Sequence, residues 1–172
     1  MKQVKGVAAV VVMGVSGAGK STVGRLIAAR LDCPFRDADS FHPPANIAKM
    51  SRGEPLTDAD RWPWLNAIAA WIAEHRAAGT MCVVTCSALK RAYRDIVTEH
   101  QRADVRLVYL KGDFDLIAAR LAARKGHFMP PALLKSQFAA LEEPAADERA
   151  ITVAIDESPE EIAERVVGEL AP

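Results

Sequence analysis

Gly14-Val15-Ser16-Gly17-Ala18-Gly19-Lys20-Ser21 fits the pattern G-x-x-x-x-G-K-[ST] at every fixed position. Its flanks agree with it. Val7-Ala8-Ala9-Val10-Val11-Val12-Met13 is apolar and β-branched with no polar alternation, as a strand buried on both faces of a parallel sheet reads. Val23, Leu26, Ile27 and Leu31 then recur at the spacing of one helix face. Strand, glycine-rich turn and helix together make a phosphate-binding loop.

The residue types follow from that task. Gly14, Gly17 and Gly19 let the backbone curl so that successive N–H groups converge on phosphate oxygens. The loop opens into a helix N-terminus, whose free N–H groups and dipole favour an anion. Lys20 brings a charge to the β- and γ-phosphates, and the Ser21 hydroxyl suits Mg2+. The expected nucleotide-binding set is Gly14, Ser16, Gly17, Ala18, Gly19, Lys20, Ser21 and Thr22. This names a nucleoside triphosphate as ligand. The reaction has to come from the rest of the chain.

Composition sets the bounds. A chain of 172 residues, half apolar and with zero formal net charge, reads as one globular domain, residues 1–172, with no global attraction for nucleic acid. The charge is unevenly placed. Residues 1–30 hold five Lys or Arg and no acid, and residues 90–125 hold nine bases against five acids, whereas residues 133–172 hold three bases and ten acids. Basic excess around the loop suits a small polyanion. The three cysteines, Cys33, Cys82 and Cys86, lack C-x-x-C spacing and read as reduced thiols of a cytoplasmic protein. The apolar run after Lys2 and Lys5 imitates a signal peptide, but its removal would take away the strand that holds the loop. No stretch approaches the ~20 apolar residues of a membrane helix.

Strand and helix signals alternate along the chain. Strands are expected near 7–13, 33–37, 81–86, 105–110 and 151–155, with helices between them, including one from about Trp62 to Ala77. Such alternation predicts an α/β fold with a parallel sheet and right-handed crossovers. Ligands then sit at the carboxyl ends of the strands. That end gathers the loop, the acids Asp37 and Asp39, and the segment after the third strand.

Asp37-Ala38-Asp39 closes the second strand, so both carboxylates emerge beside the loop on one face. Asp37 is assigned to Mg2+ with Ser21. Asp39 is assigned to orienting or deprotonating an acceptor hydroxyl. His42 follows closely. Arg52 and Arg61 flank Gly53–Asp60 and either read a carboxylate on the acceptor or pair with Asp58 or Asp60. Arg120 and Arg124 lie four apart on one helix face, directly before the Gly/Pro-interrupted segment 125–131. A closing flap that carries arginines would exclude water and neutralise the transferring charge. His127, Phe128 and Met129 form either its tip or packing. The catalytic set is therefore Lys20, Asp39 and Arg124.

These stretches resemble one family closely. Asp37–Pro43, Asn46–Met50, Gly53–Leu65, Cys86–Asp95, His127-Phe128-Met129-Pro130, Ser136-Gln137-Phe138 and Leu141–Pro144 are similar to gluconokinases, in register from about residue 8 to 155. The resemblance implies ATP- and Mg2+-dependent phosphorylation of D-gluconate on its 6-hydroxyl. It implies a three-layer P-loop kinase fold with a five-stranded parallel sheet in order 2-3-1-4-5, an acceptor-binding segment near 38–62 and a mobile lid near 120–140. Homodimers are common among such proteins. Arg120 and Arg124 would divide adenine and phosphate between them. Lys90 and Arg91 would help hold the sugar acid, or would form a structural salt bridge. Two rival expectations stay open: a kinase of shikimate or a nucleoside monophosphate on the same fold, and a nucleotide switch that transfers nothing.

Overall fold

The computed structural model describes residues 4–100, 103–124 and 131–171. Five parallel strands form its one sheet among the described residues: β1 (Ala9–Met13), β2 (Phe35–Asp37), β3 (Cys82–Thr85), β4 (Val105–Lys111) and β5 (Ile151–Ala154), in the order β2-β3-β1-β4-β5. The register puts Val11 opposite both Val84 and Leu107, and Asp37 opposite Thr85. All five residues of β1 are fully buried. This is why the strand carries no polar alternation: it is central, and both of its faces are covered.

The connecting helices are α1 (Lys20–Leu31), α2 (Pro44–Ser51), α3 (Asp58–Ala77), α4 (Arg91–Thr98), α5 (Phe114–Ala123), α6 (Pro131–Ala140) and α7 (Pro159–Leu170). Side chains alternate across the sheet with period two, so two cores form. Val10, Val12, Val83, Val108 and Leu110 pack with Ile27 of α1, Ile117 of α5 and Val166 of α7. Val11, Met13, Val84, Leu107 and Tyr109 pack with Leu65 and Ile68 of α3 and Val97 of α4. The result is helix, sheet and helix in three layers, as expected.

One boundary differs from the sequence reading. Helix α3 begins at Asp58, not near Trp62. Thr57 and Asp60 form a reciprocal capping box: Asp60 N–H donates to Thr57 Oγ1 (3.2 Å) and Thr57 N–H to Asp60 Oδ2 (2.9 Å). Lys49 of α2 also donates to Asp60, at 2.7 Å. A two-way cap plus an ion pair stabilises a first turn, and it moves Pro63 into the helix interior. There the ring removes an amide that would otherwise bond to the preceding turn.

Candidate active site

Strand β1 ends at Met13, and the chain turns at once into the loop. Gly17 and Gly19 have φ of +83° and +93°, values that L side chains rarely adopt. A Cβ on Gly17 would also stand 2.8 Å from Leu121 Cγ, so glycine is required there twice over. The loop is pinned from outside, where Gly14 N–H donates to the Ser87 carbonyl at 3.3 Å and Ser16 N–H donates to Gln137 Oε1 at 2.7 Å. Helix α1 has no side-chain cap at its N-terminus, which leaves its amides to the cleft.

Lys20 Nζ donates to the carbonyls of Gly14 (2.9 Å) and Val15 (3.0 Å). Burial pulls its pKa down to about 8, against the opposing pull of Asp37 and Asp39 and with a further push from Arg124. Ser21 Oγ donates to Asp37 Oδ2 at 2.5 Å, and Asp37 Oδ1 accepts from Asp39 N–H at 3.1 Å. Burial would raise the Asp37 pKa. The Ser21 hydroxyl and the Asp39 amide outweigh it, and the carboxyl sits below its ordinary range. A hydroxyl and an ionised carboxylate side by side are hard oxygen donors.

Beyond the acids the chain makes one 3-10 turn (Ala38–Phe41) and enters α2. Trp64 Nε1 donates to the Ala38 carbonyl at 2.8 Å, and its ring stacks on His42 with 4.4 Å between centroids. Burial lowers the pKa of His42; Asp39 opposes this and Arg61 adds to it. Buried Asn46 lies 3.3 Å from His42 Nδ1 and donates to the Asp60 carbonyl at 2.9 Å. α2, α3 and the acid turn are therefore tied into one wall.

A second anchor lies behind the segment that follows β3. Arg94 and Glu148 have side-chain exposures of 1% and 0% and form a bidentate pair at 2.7 and 3.1 Å. The Arg94 guanidinium also donates to the carbonyls of Ala88 (2.9 Å) and Leu89 (3.3 Å). These carbonyls directly follow Ser87, the residue that holds Gly14.

A cleft of about 1070 Å3 joins these parts. Of the residues expected from sequence, it brings together Ser16, Gly17, Gly19, Lys20, Ser21, Asp37, Asp39, His42, Arg61 and Arg124. Gly14, Ala18 and Thr22 shape the loop from outside this lining. Four expected cations stand elsewhere. Arg52 pairs with Glu54 at 2.9 Å. Arg91 pairs with Asp147 at 2.5 Å, the salt-bridge alternative. Lys90 lies 5.7 Å from the Tyr93 ring. Arg120 donates to the Ile155 carbonyl. Arg61 does line the cleft, yet it also lies 3.5 Å from Asp58. The expected flap tip, His127, Phe128 and Met129, lies outside the described residues. Met50, Trp64, Thr85, Ser87 and Gln137 line the cleft without having been assigned a role from sequence. All but Thr85 stand inside the stretches that carry the family resemblance.

The chain is 48% identical over 160 residues to the gluconokinase of Gluconobacter oxydans, covering 91% of this chain and 88% of that protein. The chain belongs to the gluconokinase family. It is also 47% identical over 143 residues to the thermoresistant gluconokinase of Escherichia coli, covering 83% of this chain and 81% of that one. The crystal structure of a gluconokinase from Sinorhizobium meliloti superposes with a TM-score of 0.84 at 45% identity, covering 94% of this chain and 90% of that one. The family model described as shikimate kinase also matches residues 16–171. Among the described residues, no helix is long and apolar enough to cross a membrane.

Proposed function

We propose that this chain transfers the γ-phosphoryl group of ATP to the 6-hydroxyl of D-gluconate, giving 6-phospho-D-gluconate and ADP. One observation carries the reading. A phosphate loop and an acceptor wall of Asp39, His42, Arg61 and Trp64 line the same cleft in a chain of this family. A nucleotide switch would need the loop but no acceptor wall.

The chemistry asks mainly for positioning and charge stabilisation. The loop amides and Lys20 hold the β- and γ-phosphates. Lys20 leaves the Gly14 and Val15 carbonyls for the phosphate, whose charge raises its pKa again. Asp39 orients the 6-hydroxyl and accepts its proton as the O–P bond forms. Arg61 and His42 hold the carboxylate and hydroxyls of the sugar acid, and Trp64 fixes the His42 ring. Arg124 neutralises charge on the phosphoryl group in transit. Ser21 and Asp37 fit Mg2+, which takes oxygen ligands and is commonly held by one or two protein groups plus substrate phosphates; when bound, it would neutralise the β- and γ-oxygens. The division into an acceptor segment near 38–62 and a closing lid near 120–140 belongs to the same proposal, as do Arg120 at the nucleotide, and Arg52, Lys90 and Arg91 drawn in by closure. A homodimer in the cytoplasm completes it, supported by the family resemblance and by the buried thiols of Cys82 and Cys86.

The test is ADP release with MgATP and D-gluconate, shikimate or AMP supplied separately at equal concentration. Gluconate alone should drive release. Release driven by shikimate or AMP, or indifferent to all three, would overturn the acceptor assignment.

A further inference from the structure

Gln137 has no part in the mechanism above, yet it touches the phosphate loop. Its Oε1 accepts from Ser16 N–H at 2.7 Å across 121 residues of sequence. That contact settles the orientation of the amide. A backbone N–H can only donate, so the atom facing it is the oxygen. The Nε2 group, with two protons to donate, must then lie on the other arm of the fork, and Gln137 lines the cleft.

Helix α6 does not depend on this contact for its place. Leu134 is buried in the core at 2% exposure. The Phe138 ring packs edge-on against Phe114 with centroids 5.6 Å apart. Just past the helix, Glu142 N–H donates to the Leu89 carbonyl at 2.7 Å. Gln137 is thus a half-buried polar side chain on the helix that ends the proposed lid, docked here by these other contacts as well and held in one orientation by the loop. Arg124 and Leu133 line the same cleft.

We propose that Gln137 is a further catalytic residue, its Nε2 donating to a non-bridging oxygen of the γ-phosphoryl group as that group passes to the acceptor. Ser16 directly precedes the Gly17–Thr22 amides of the loop, to which the mechanism above assigns the β- and γ-phosphates. A neutral donor there stabilises the added equatorial charge without adding a competing cation. The role rests on the phosphotransfer reading.

Two variants test it. Gln137→Glu is close to isosteric and keeps an oxygen for Ser16 N–H, but it turns an oxygen toward the phosphoryl group in place of the donor. Gln137→Met removes both functions at similar size. Thermal unfolding checks the fold of each. MgATP and MgADP affinities are measured without gluconate, and kcat with it. For Gln137→Glu we expect kcat to fall about a hundredfold. MgATP should lose about tenfold in affinity relative to MgADP, because only ATP places a γ-phosphate against the new charge. Gln137→Met should lower kcat with the ATP-to-ADP preference unchanged. A Gln137→Glu enzyme with wild-type kcat and unchanged nucleotide preference would overturn the proposal and leave Gln137 an anchor of the loop. A fall in kcat without the shift in preference would also overturn it, since the amide would then serve something other than the γ-phosphoryl group. The nucleotide measurement uses no acceptor, so an error in the gluconate assignment would show in the acceptor screen instead.

Discussion

Glu148→Ala should be strongly damaging although it lies outside the cleft, and the structure sets its size. Glu148 accepts both arms of Arg94 and the Ala145 N–H at 2.8 Å. Its removal strands a guanidinium whose side chain is 1% exposed, with no route to water short of opening the structure. Breaking one side of a buried pair costs about 3–5 kcal/mol, because the remaining charge is left without compensation. For a chain of this length each kcal/mol lowers Tm by about 2–4 °C, so the expected loss is about 6–20 °C. Urea denaturation followed by circular dichroism gives the free energy directly, at unchanged m if the unfolded state is the same. The damage should also reach the site. Arg94 holds the Ala88 and Leu89 carbonyls, and the adjoining Ser87 carbonyl holds Gly14, so MgADP affinity should weaken even at a temperature where the variant is fully folded. The double variant Arg94→Met, Glu148→Leu removes both charges and should recover part of the stability, short of the full amount because the Ala88 and Leu89 carbonyls and the Ala145 N–H lose their partners. A loss below about 1 kcal/mol for Glu148→Ala would refute the reasoning, since it would mean the pair behaves as a solvated one.

Three further outcomes are expected. Lys20→Ala should keep its unfolding midpoint within a few degrees while kcat falls about a hundredfold or more; near-full turnover would remove Lys20 from the reaction. Asp39→Asn should bind MgATP as before and release little ADP with gluconate, and an unchanged kcat would exclude it as base or orienter. The lowered Lys20 pKa, about 8, gives a pH signature. Polyphosphate binding raises that pKa again, so protons are taken up between the free and bound values. Uptake should grow from about 0.1 proton at pH 7, where Lys20 is already charged, through about 0.5 at pH 8 to about 0.9 at pH 9. Calorimetry of MgADP binding in buffers of different ionisation enthalpy measures it, and a flat profile would contradict the assignment.

What was legible in the sequence was local. The loop, the buried strand before it and the Asp37–Asp39 pair could all be read because their residue types answer to their own backbone geometry and to a sheet covered on both faces. The strand order came with the family resemblance. What stayed hidden was decided by contacts far apart in the chain. Arg91 meets Asp147 across 56 residues and Arg94 meets Glu148 across 54, and nothing in their neighbourhoods says which basic residue faces the cleft. Gln137 stood inside a recognised stretch with no assigned role, because a glutamine on a helix has no local signature. Its partner is a backbone amide of the loop. The early start of α3 rests on the Thr57–Asp60 box, which is local, and on the Lys49–Asp60 contact from α2, which is not visible from α3 alone.

The sheet order has a consequence for inheritance. With β1 in the middle, residues 35–90 build one flank and residues 105–155 the other, and the two flanks are consecutive rather than interleaved. A chimera that exchanged the 38–64 stretch with a distant kinase would therefore cut no strand, joining the rest of the chain just after β2 and within α3. The phosphate loop and the residues from 105 onward would pass through such an exchange unedited, and most of the acceptor wall could be acquired by transplanting one contiguous run of the gene.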